Sequence, residues 1–293
     1  MRLAVVRLND RLDDRQAEAG PAGPATSPSL GAPEAIEHPV PGVGRQTGPV
    51  VADLKHRSIT FASDADLDRG LRGGVNHRVA GLACTLDELA SEDAAFCADT
   101  GTPCIWTARY ITAKRERHIF GSFSWASMAS AMPNALGIAL AYPGRQVIAI
   151  CGDGGLAMLM GELLTIAERK LPVKIVVLNN GGLEFVNIEM QEAGIEPFGI
   201  KFENPDFAKL ADAIGITGIR LEQPGGVRDS VTRLLSTPGP ALLDAVVDPH
   251  ALSLPPHITF GEAEGFSLSL AKQALHGNLD EVIETIKRNI RIV

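Results

Sequence analysis

The chain has 293 residues, of which 45% are hydrophobic, and this is enough to bury a sizeable core. Its formal net charge of −8 excludes the overall basic field that attracts nucleic acids. No apolar run approaches the roughly 20 residues that a membrane-spanning helix needs, so the sequence predicts a cytoplasmic protein that does not cross a bilayer.

The first part of the chain shows little sign of regular structure. About the first fifty residues are crowded with proline, glycine, alanine and serine and show no lasting helical or strand period, whereas residues 51–80 are ambiguous. We therefore predict a disordered or unassigned tail over 1–75, an α/β domain over 80–265 and an amphipathic helical segment over 266–293. Thr85 is followed three residues later by Glu88, the spacing of a capping box, which predicts a helix that starts at Thr85.

From residue 127 onward, helical and apolar strand patterns alternate. Helices are predicted over 127–144, 155–170, 204–215 and 227–237. Strands are predicted over 145–151, 173–180, 217–221 and 240–248. This alternation is typical of βαβ crossovers, so the fold class is α/β with a mainly parallel sheet and helices on both faces.

The four cysteines, Cys84, Cys97, Cys104 and Cys151, are irregularly spaced and form no C-x-x-C pair. Because the chain is large and begins without a secretory leader, we interpret them as reduced thiols rather than as disulfides or metal ligands.

Two polar motifs follow two successive predicted strands. The sequence "GDGG" at residues 152–155 opens a helix, and "NNGG" at residues 179–182 follows the next strand. The glycines let backbone N–H groups approach an anion, while the loop has no lysine that could neutralise a phosphate. Each motif alone is also compatible with an ordinary tight turn. Their 27-residue spacing and their flanking strands favour a clamp that joins a divalent cation to a diphosphate.

The side-chain oxygens of Asp153 and Asn180 and the carbonyl of Gly182 are the predicted protein ligands of this cation. Carboxylate, amide and main-chain oxygens are the ligands that Mg²⁺ prefers. One helix and one strand return the chain to the same sheet edge, which brings the two motifs together.

The two motifs together resemble the signature of thiamine diphosphate (ThDP) enzymes. The longer sequence is similar to the C-terminal cofactor-binding domain of the pyruvate dehydrogenase (quinone), or pyruvate oxidase, family. This similarity covers about residues 85–290 and is carried by the segments "DTGTPCIWTARY", "GSFSWASMASAMPNALG", "CGDGGLAMLMGELLT", "LPVKIVVLNN" and "FGEAEGFSLSL".

The resemblance implies ThDP and Mg²⁺ as cofactors. Mg²⁺ would be held by Asp153, Asn180 and Gly182. Met128 would be the apolar wedge that bends ThDP so that its pyrimidine helps to remove the thiazolium proton. Residues implied to contact the cofactor are Ala126, Ser127, Met128, Asp153, Gly154, Gly155, Asn180, Gly181, Gly182, Leu183, Glu184, Phe185 and Val186.

Two of these positions bear on the reaction itself. Phe185 matches an aromatic residue that the family associates with electron passage toward flavin, although a buried phenylalanine needs no such role. Glu184 departs from the family pattern, which has glycine there, and a carboxylate at the reaction centre would affect the choice of substrate.

In the family that this sequence resembles, complete enzymes decarboxylate pyruvate oxidatively to acetate and CO2 and pass electrons through FAD to a quinone. Their other domains supply a glutamate that activates the pyrimidine and an FAD site, and neither is recognised in this sequence. We therefore expect activity to need a complementary polypeptide with the pyrimidine-binding (PYR) and FAD portions, and we expect the chain to oligomerise. A truncated product and a module that holds ThDP without turnover are the non-enzymatic alternatives.

Two further interpretations remain open. The β subunit of a 2-oxoacid:ferredoxin oxidoreductase has a similar size and motif, but its cluster-binding cysteines are not found here. The C-terminal residues form one apolar helical stripe beside basic side chains, as in peripheral membrane contacts at the inner face of the membrane, although most such helices dock on their own protein. The stripe consists of Leu279, Val282, Ile283, Ile286, Ile290 and Val293, and the basic residues are Lys287, Arg288 and Arg291.

Overall fold

The computed structural model describes residues 77–114, 116–250 and 260–289, and its central element is a parallel sheet. The strands are β1 (Ala95–Ala98), β2 (His118–Phe120), β3 (Val147–Gly152), β4 (Val173–Asn179), β5 (Thr217–Leu221) and β6 (Ala241–Val246). Their order across the sheet is β2-β1-β3-β4-β6-β5, and every neighbouring pair is parallel. The predicted α/β class with a parallel sheet is confirmed, while the predicted tail over 1–75 lies outside the described residues.

Helices cover both faces of the sheet. They are α1 (His77–Leu89), α2 (Thr102–Tyr110), α3 (Ala131–Ala141), α4 (Asp153–Met158), α5 (Glu162–Glu168), α6 (Glu184–Glu192), α7 (Phe207–Ala213), α8 (Val227–Ser236), α9 (Phe260–Leu275) and α10 (Leu279–Asn289). Alternate strand residues supply two cores, because successive side chains point to opposite faces. Helices α3, α4, α5 and α7 pack on one core, and α1, α2 and α8 pack on the other.

Strands β3 and β4 lie at the centre of the sheet and are almost entirely buried. Their continuous apolar sequences suit a strand that is covered on both faces. The register pairs Val147 with Val173 and Gly152 with Leu178, so the two strands end close together. This alignment fixes the position of the residues that follow each strand.

Several predicted boundaries are wrong. Thr85 does not begin a helix but lies inside α1, where its hydroxyl donates a 2.7 Å hydrogen bond to the carbonyl of Gly81. The helix predicted over 155–170 is divided into α4 and α5. The strands β1 and β2 and the helices α2 and α6 were not predicted at all.

The C-terminal helices dock against the chain that follows α6. The Ser269 hydroxyl donates to the carbonyl of Ile195, and the Lys272 ammonium donates to the carbonyl of Gly194, each at 2.8 Å. In α10, Val282 is buried, while the apolar stripe also contains exposed side chains. The exposed members are Leu279, Ile283 and Ile286.

Ile290, Arg291 and Val293 lie outside the described residues, and so does the Arg288 side chain. None of the helices in the described ranges is long and apolar enough to span a bilayer.

Candidate functional site at the carboxyl edge of the sheet

The ends of β3 and β4 bring Asp153 and Asn180 into direct contact. Asp153 is the first residue of α4, and Asn180 follows β4. The backbone N–H of Asn180 donates to Oδ2 of Asp153 at 3.0 Å, and that of Gly181 donates to the same oxygen at 2.7 Å. The two sequence motifs therefore form one connected structure.

Asp153 is a buried carboxylate with unequal oxygens. Asp153 is only 2% exposed. Burial raises the pKa of Asp153, and the N–H donors around it oppose that rise. Oδ1 accepts a 2.8 Å hydrogen bond from the N–H of Gly154. Within the ranges that the structure describes, no basic side chain forms an ion pair with Asp153, so a cation bound at Oδ1 would supply the missing countercharge.

The turn after Asn180 is held rigidly. Gly181 has a φ of 72°, in the left-handed region that glycine adopts without strain. The N–H of Gly182 donates to Oδ1 of Asn180 at 3.2 Å, and the N–H of Leu183 donates to the carbonyl of Ile200 at 2.9 Å. The turn is therefore held by its own hydrogen bonds, and the N–H groups of Asn180 and Gly181 keep it against Asp153.

The two glycines of α4 are required by protein packing. A Cβ on Gly154 would lie 2.7 Å from the Leu183 side chain, and one on Gly155 would lie 1.9 Å from Oδ2 of Asp99. The first turn of α4 therefore stays close to the Asn180–Leu183 loop. The absence of side chains at Gly154 and Gly155 suits the close approach of a diphosphate to this turn.

The segment from Ala126 to Met128 precedes α3 instead of belonging to it, which corrects the helix predicted over 127–144. Ala126 has a φ of 49° and Ala129 a φ of 65°, both in the left-handed region. The Thr100 hydroxyl donates to the carbonyl of Ser127 at 2.9 Å. Ala126 and Ser127 are exposed and Met128 is half-buried, so the segment is accessible to a ligand or a partner.

Glu184, Phe185 and Val186 form the first turn of α6. Glu184 is 8% exposed and accepts hydrogen bonds from the Asn187 amide at 3.2 and 3.4 Å. Burial, with a smaller contribution from the charge of Asp248, raises the pKa of Glu184 to about 8. Phe185 and Val186 are each 37% exposed. Phe185 lies near Gly101, at the start of α2, so this turn faces the same sheet edge.

Two residues of this edge were missed in the sequence. Asp99 follows β1, is 1% exposed, and accepts hydrogen bonds from the N–H groups of Thr100 and Ser130, both at 3.0 Å. Burial raises the pKa of Asp99 to about 6. Asn204 donates to Oδ2 of Asp153 at 2.7 Å. Asp99 follows a strand too short to be recognised in the sequence, and the sequence around Asn204 carries no signal either.

The donor set limits the kind of metal that the edge could hold. Among the residues that the structure covers, no three His, Cys, Asp or Glu side chains gather into a metal-binding group. A cation at this edge would therefore depend on one carboxylate and on amide and main-chain oxygens. This set fits Mg²⁺, which keeps several waters and commonly takes further oxygens from a bound phosphate.

The fold and the edge define an α/β domain whose central strand ends form a site for a phosphate-containing cofactor. Residues 99–245 match the family described as "Thiamine pyrophosphate enzyme, C-terminal TPP binding domain". The chain belongs to this family, whose cofactor is ThDP, also called thiamine pyrophosphate. Asp99 is the first residue matched, and Asp153, Asn180 and Asn204 all lie within the matched range.

Three curated relatives are 32% to 34% identical to this chain over 61% to 72% of its length. The chain is 32% identical to "Putative thiamine pyrophosphate-containing protein YdaP" of Bacillus subtilis, over 72% of this chain and 36% of that protein. It is 34% identical to the chloroplastic acetolactate synthase 1 of Oryza sativa, over 61% of this chain and 29% of that protein. It is 32% identical to the acetolactate synthase large subunit of Porphyra purpurea, over 65% and 32%. The chain thus spans about a third of the length of these relatives.

Proposed function

We propose that this domain binds ThDP through Mg²⁺ and forms the cofactor-binding part of an enzyme that decarboxylates pyruvate. The contact between Asp153 and the Asn180–Gly182 turn carries the proposal. Asp153, Asn180 and the carbonyl of Gly182 would hold the metal, and the first turn of α4 would bind the diphosphate. When bound, ThDP supplies the carbanion chemistry that decarboxylation of a 2-oxoacid requires.

The remaining contacts with ThDP are assigned to the two neighbouring turns. The Ala126–Met128 segment would contact the pyrimidine end, with Met128 as the apolar wedge. Leu183 lies against the first turn of α4, and Glu184–Val186 begin α6 at the same edge. These positions are consistent with one cofactor that extends along the sheet edge, with the substrate beside Glu184 and Phe185.

Calorimetric titration of the full chain with ThDP and Mg²⁺ tests the clamp. We expect binding that EDTA removes and that Asp153→Ala reduces at least 10-fold, because the substitution deletes a charged ligand. Asp93→Ala is the matched control, since Asp93 is an exposed aspartate on a loop away from this edge. ThDP binding that is unchanged by EDTA and by Asp153→Ala would refute the clamp.

We propose oxidative decarboxylation as the overall reaction, on the basis of the segments that resemble pyruvate dehydrogenase (quinone). Pyruvate and water would yield acetate and CO2, and two electrons and two protons would leave through FAD to a quinone. On the basis of the same resemblance, we assign the FAD site and the pyrimidine-activating glutamate, neither of which is recognised in this sequence, to a complementary PYR/FAD polypeptide. Oligomerisation around the cofactor site belongs to the same proposal.

A second candidate reaction is the one named in the acetolactate synthase relatives, which are 34% and 32% identical to this chain. Two pyruvates would then yield acetolactate and CO2 without an electron acceptor. The chain should be mixed with a polypeptide that covers the remainder of the Bacillus subtilis relative and supplied with pyruvate, ThDP and Mg²⁺. Acetate formed with reduction of a quinone-like dye supports the first reaction, and acetolactate formed without the dye supports the second.

Peripheral membrane contact through α10 stays a prediction. The exposed apolar residues of its stripe support contact, whereas the buried Val282 and the 2.5 Å ion pair between Lys201 and Glu281 hold the helix to its own protein. Co-sedimentation with anionic vesicles, with Ile283→Asp and Ile286→Asp as variants, measures it. Equal recovery of the parent and the variants with the vesicles would count against this contact.

A further inference from the structure

Asn204 connects the candidate metal ligand to a buried polar network. It lies between α6 and α7, and the segment returns its side chain to the sheet edge. The Asn204 amide nitrogen donates to Oδ2 of Asp153 at 2.7 Å and to Oδ1 of Asn179 at 2.9 Å. Both hydrogens of this amide are therefore used, and an amide nitrogen has no more to give.

The orientation of the Asn179 and Asn204 amides is fixed by hydrogen bonds that lead to Asp244. Asn179 is 8% exposed, and its amide nitrogen donates to Oδ1 of Asp244 at 2.9 Å. Asp244 is fully buried in β6 and also accepts from the N–H of Phe207 at 3.0 Å and from the Arg220 guanidinium. A flipped Asn179 would direct its oxygen at the carboxylate of Asp244 and its NH2 at the NH2 of Asn204. The observed orientation is the one that satisfies every partner.

This network makes the two oxygens of Asp153 different. Oδ2 accepts from Asn180 N–H, Gly181 N–H and the Asn204 amide at 3.0, 2.7 and 2.7 Å. Among the described residues, Oδ1 accepts from the N–H of Gly154 alone, at 2.8 Å. Three donors occupy Oδ2 fully and leave Oδ1 as the oxygen with a lone pair to offer. Of these three donors, Asn204 contributes a side chain and the other two are backbone N–H groups.

We propose that Asn204, oriented by Asn179 and Asp244, is a positioning residue that limits Asp153 to one metal-coordinating oxygen. This inference rests on the proposed clamp and adds to it a preference for Mg²⁺ over Ca²⁺. Mg²⁺ requires nearly ideal octahedral geometry, in which a carboxylate contributes one oxygen, whereas Ca²⁺ accepts bidentate carboxylates and more ligands. Anchoring Oδ2 therefore favours Mg²⁺ over Ca²⁺, and releasing it lets Asp153 rotate toward the bidentate geometry that Ca²⁺ tolerates.

The test measures binding of magnesium and calcium chlorides to the full chain by calorimetry at a fixed, saturating concentration of ThDP. For Asn204→Ala we expect a 10- to 100-fold loss of Mg²⁺ affinity, the usual range when a residue that orients a metal ligand is removed. The loss of Ca²⁺ affinity should be at least threefold smaller, so the Mg²⁺/Ca²⁺ ratio falls. Asn134→Ala, at an exposed position of α3, is the control and should leave both affinities unchanged.

The outcomes separate this inference from the function on which it rests. If the parent chain binds neither metal with ThDP, the clamp itself fails. If the parent binds Mg²⁺ and Asp153→Ala abolishes binding, an unchanged Mg²⁺/Ca²⁺ ratio in Asn204→Ala overturns the positioning role alone. Thermal melting checks that Asn204→Ala is folded. Should it unfold, Asn204→Ser takes its place, with the same fall in the ratio expected and an unchanged ratio again refuting the role.

Discussion

Asp99 is a buried carboxyl group whose raised pKa can be tested by titration, and Asp99→Asn is the perturbation that tests it. The carboxyl group is almost completely buried, and its Oδ2 has no hydrogen-bond partner among the residues in the described ranges. Burial disfavours the charged form and raises the pKa from 3.8 to about 6, although the backbone donors at Oδ1 oppose this. The native state therefore carries an ionised, poorly satisfied carboxylate at pH 7.

The sign of the effect follows from the two pKa values. The native state binds this proton more tightly than the unfolded chain does, so its contribution to stability is complete below pH 3.8 and is lost as the pH rises through 6. The rise of the pKa from 3.8 to about 6 corresponds to about 3 kcal/mol in total, at 1.36 kcal/mol per pH unit. Roughly 1.5 kcal/mol of this is lost between about pH 4.5 and pH 6, and about 2 kcal/mol between about pH 4.5 and pH 7.5. Asparagine has almost the same shape and does not titrate.

The free energy of unfolding of the parent and of Asp99→Asn should be measured by urea denaturation from pH 4.5 to pH 7.5. We expect the variant to gain about 2 kcal/mol relative to the parent as the pH rises across this interval, with the change levelling off above pH 6. Asp93→Asn, at an exposed loop aspartate, controls for the exchange of carboxylate for amide. A difference between parent and Asp99→Asn that is constant with pH would refute the reasoning from burial.

Two other substitutions test the packing and the backbone of the same edge. Gly155→Ala places a Cβ 1.9 Å from Oδ2 of Asp99, so it should cost about 1–3 kcal/mol of stability, and Asp99→Ala should restore part of this in a double-mutant cycle. Additive effects of the two substitutions would contradict the predicted clash. Ala126→Gly relieves a left-handed alanine that costs about 1–2 kcal/mol and loses about 0.4–1 kcal/mol through the unfolded chain, so stability should rise by up to about 1.5 kcal/mol. Ala139→Gly, inside α3, should instead lower stability by about 1 kcal/mol, and a loss at both positions in thermal melting would contradict the strain at Ala126.

The longer apolar strands could be predicted from the sequence, and the shorter ones could not. Strands β3 and β4 are continuous buried runs of six and seven residues, which the apolar pattern identifies. Strands β1 and β2 have only four and three residues, too few to show a period. The capping-box pattern at Thr85 is misleading, since the preceding apolar residues Val79 and Leu82 already pack in the core and extend α1 toward its start.

The same distinction separates the site residues that the sequence predicts from those that it misses. Asp153 and Asn180 lie at the ends of recognisable strands, with glycines that mark the turns. Asp99 has an equivalent position, but it follows a strand that the sequence does not reveal. Asn204 lies in an irregular segment between α6 and α7, 51 residues after Asp153 in the sequence. Only the three-dimensional structure therefore shows that the two residues are in contact. The left-handed φ values at Ala126 and Ala129 could not be predicted from the sequence either, because alanine normally predicts a helix.

The electrostatics of the edge indicate why cofactor and metal should bind together. Asp99 and Asp153 are both buried, and burial raises the pKa of each. A diphosphate that entered alone would add negative charge beside Asp153, which already lacks an ion-pair partner within the described ranges. A divalent cation at Oδ1 removes this repulsion, so each ligand should raise the affinity for the other by the same factor. Under the proposed clamp, Asn204 then contributes to ThDP affinity without touching ThDP, since it holds the carboxylate that brings in the metal.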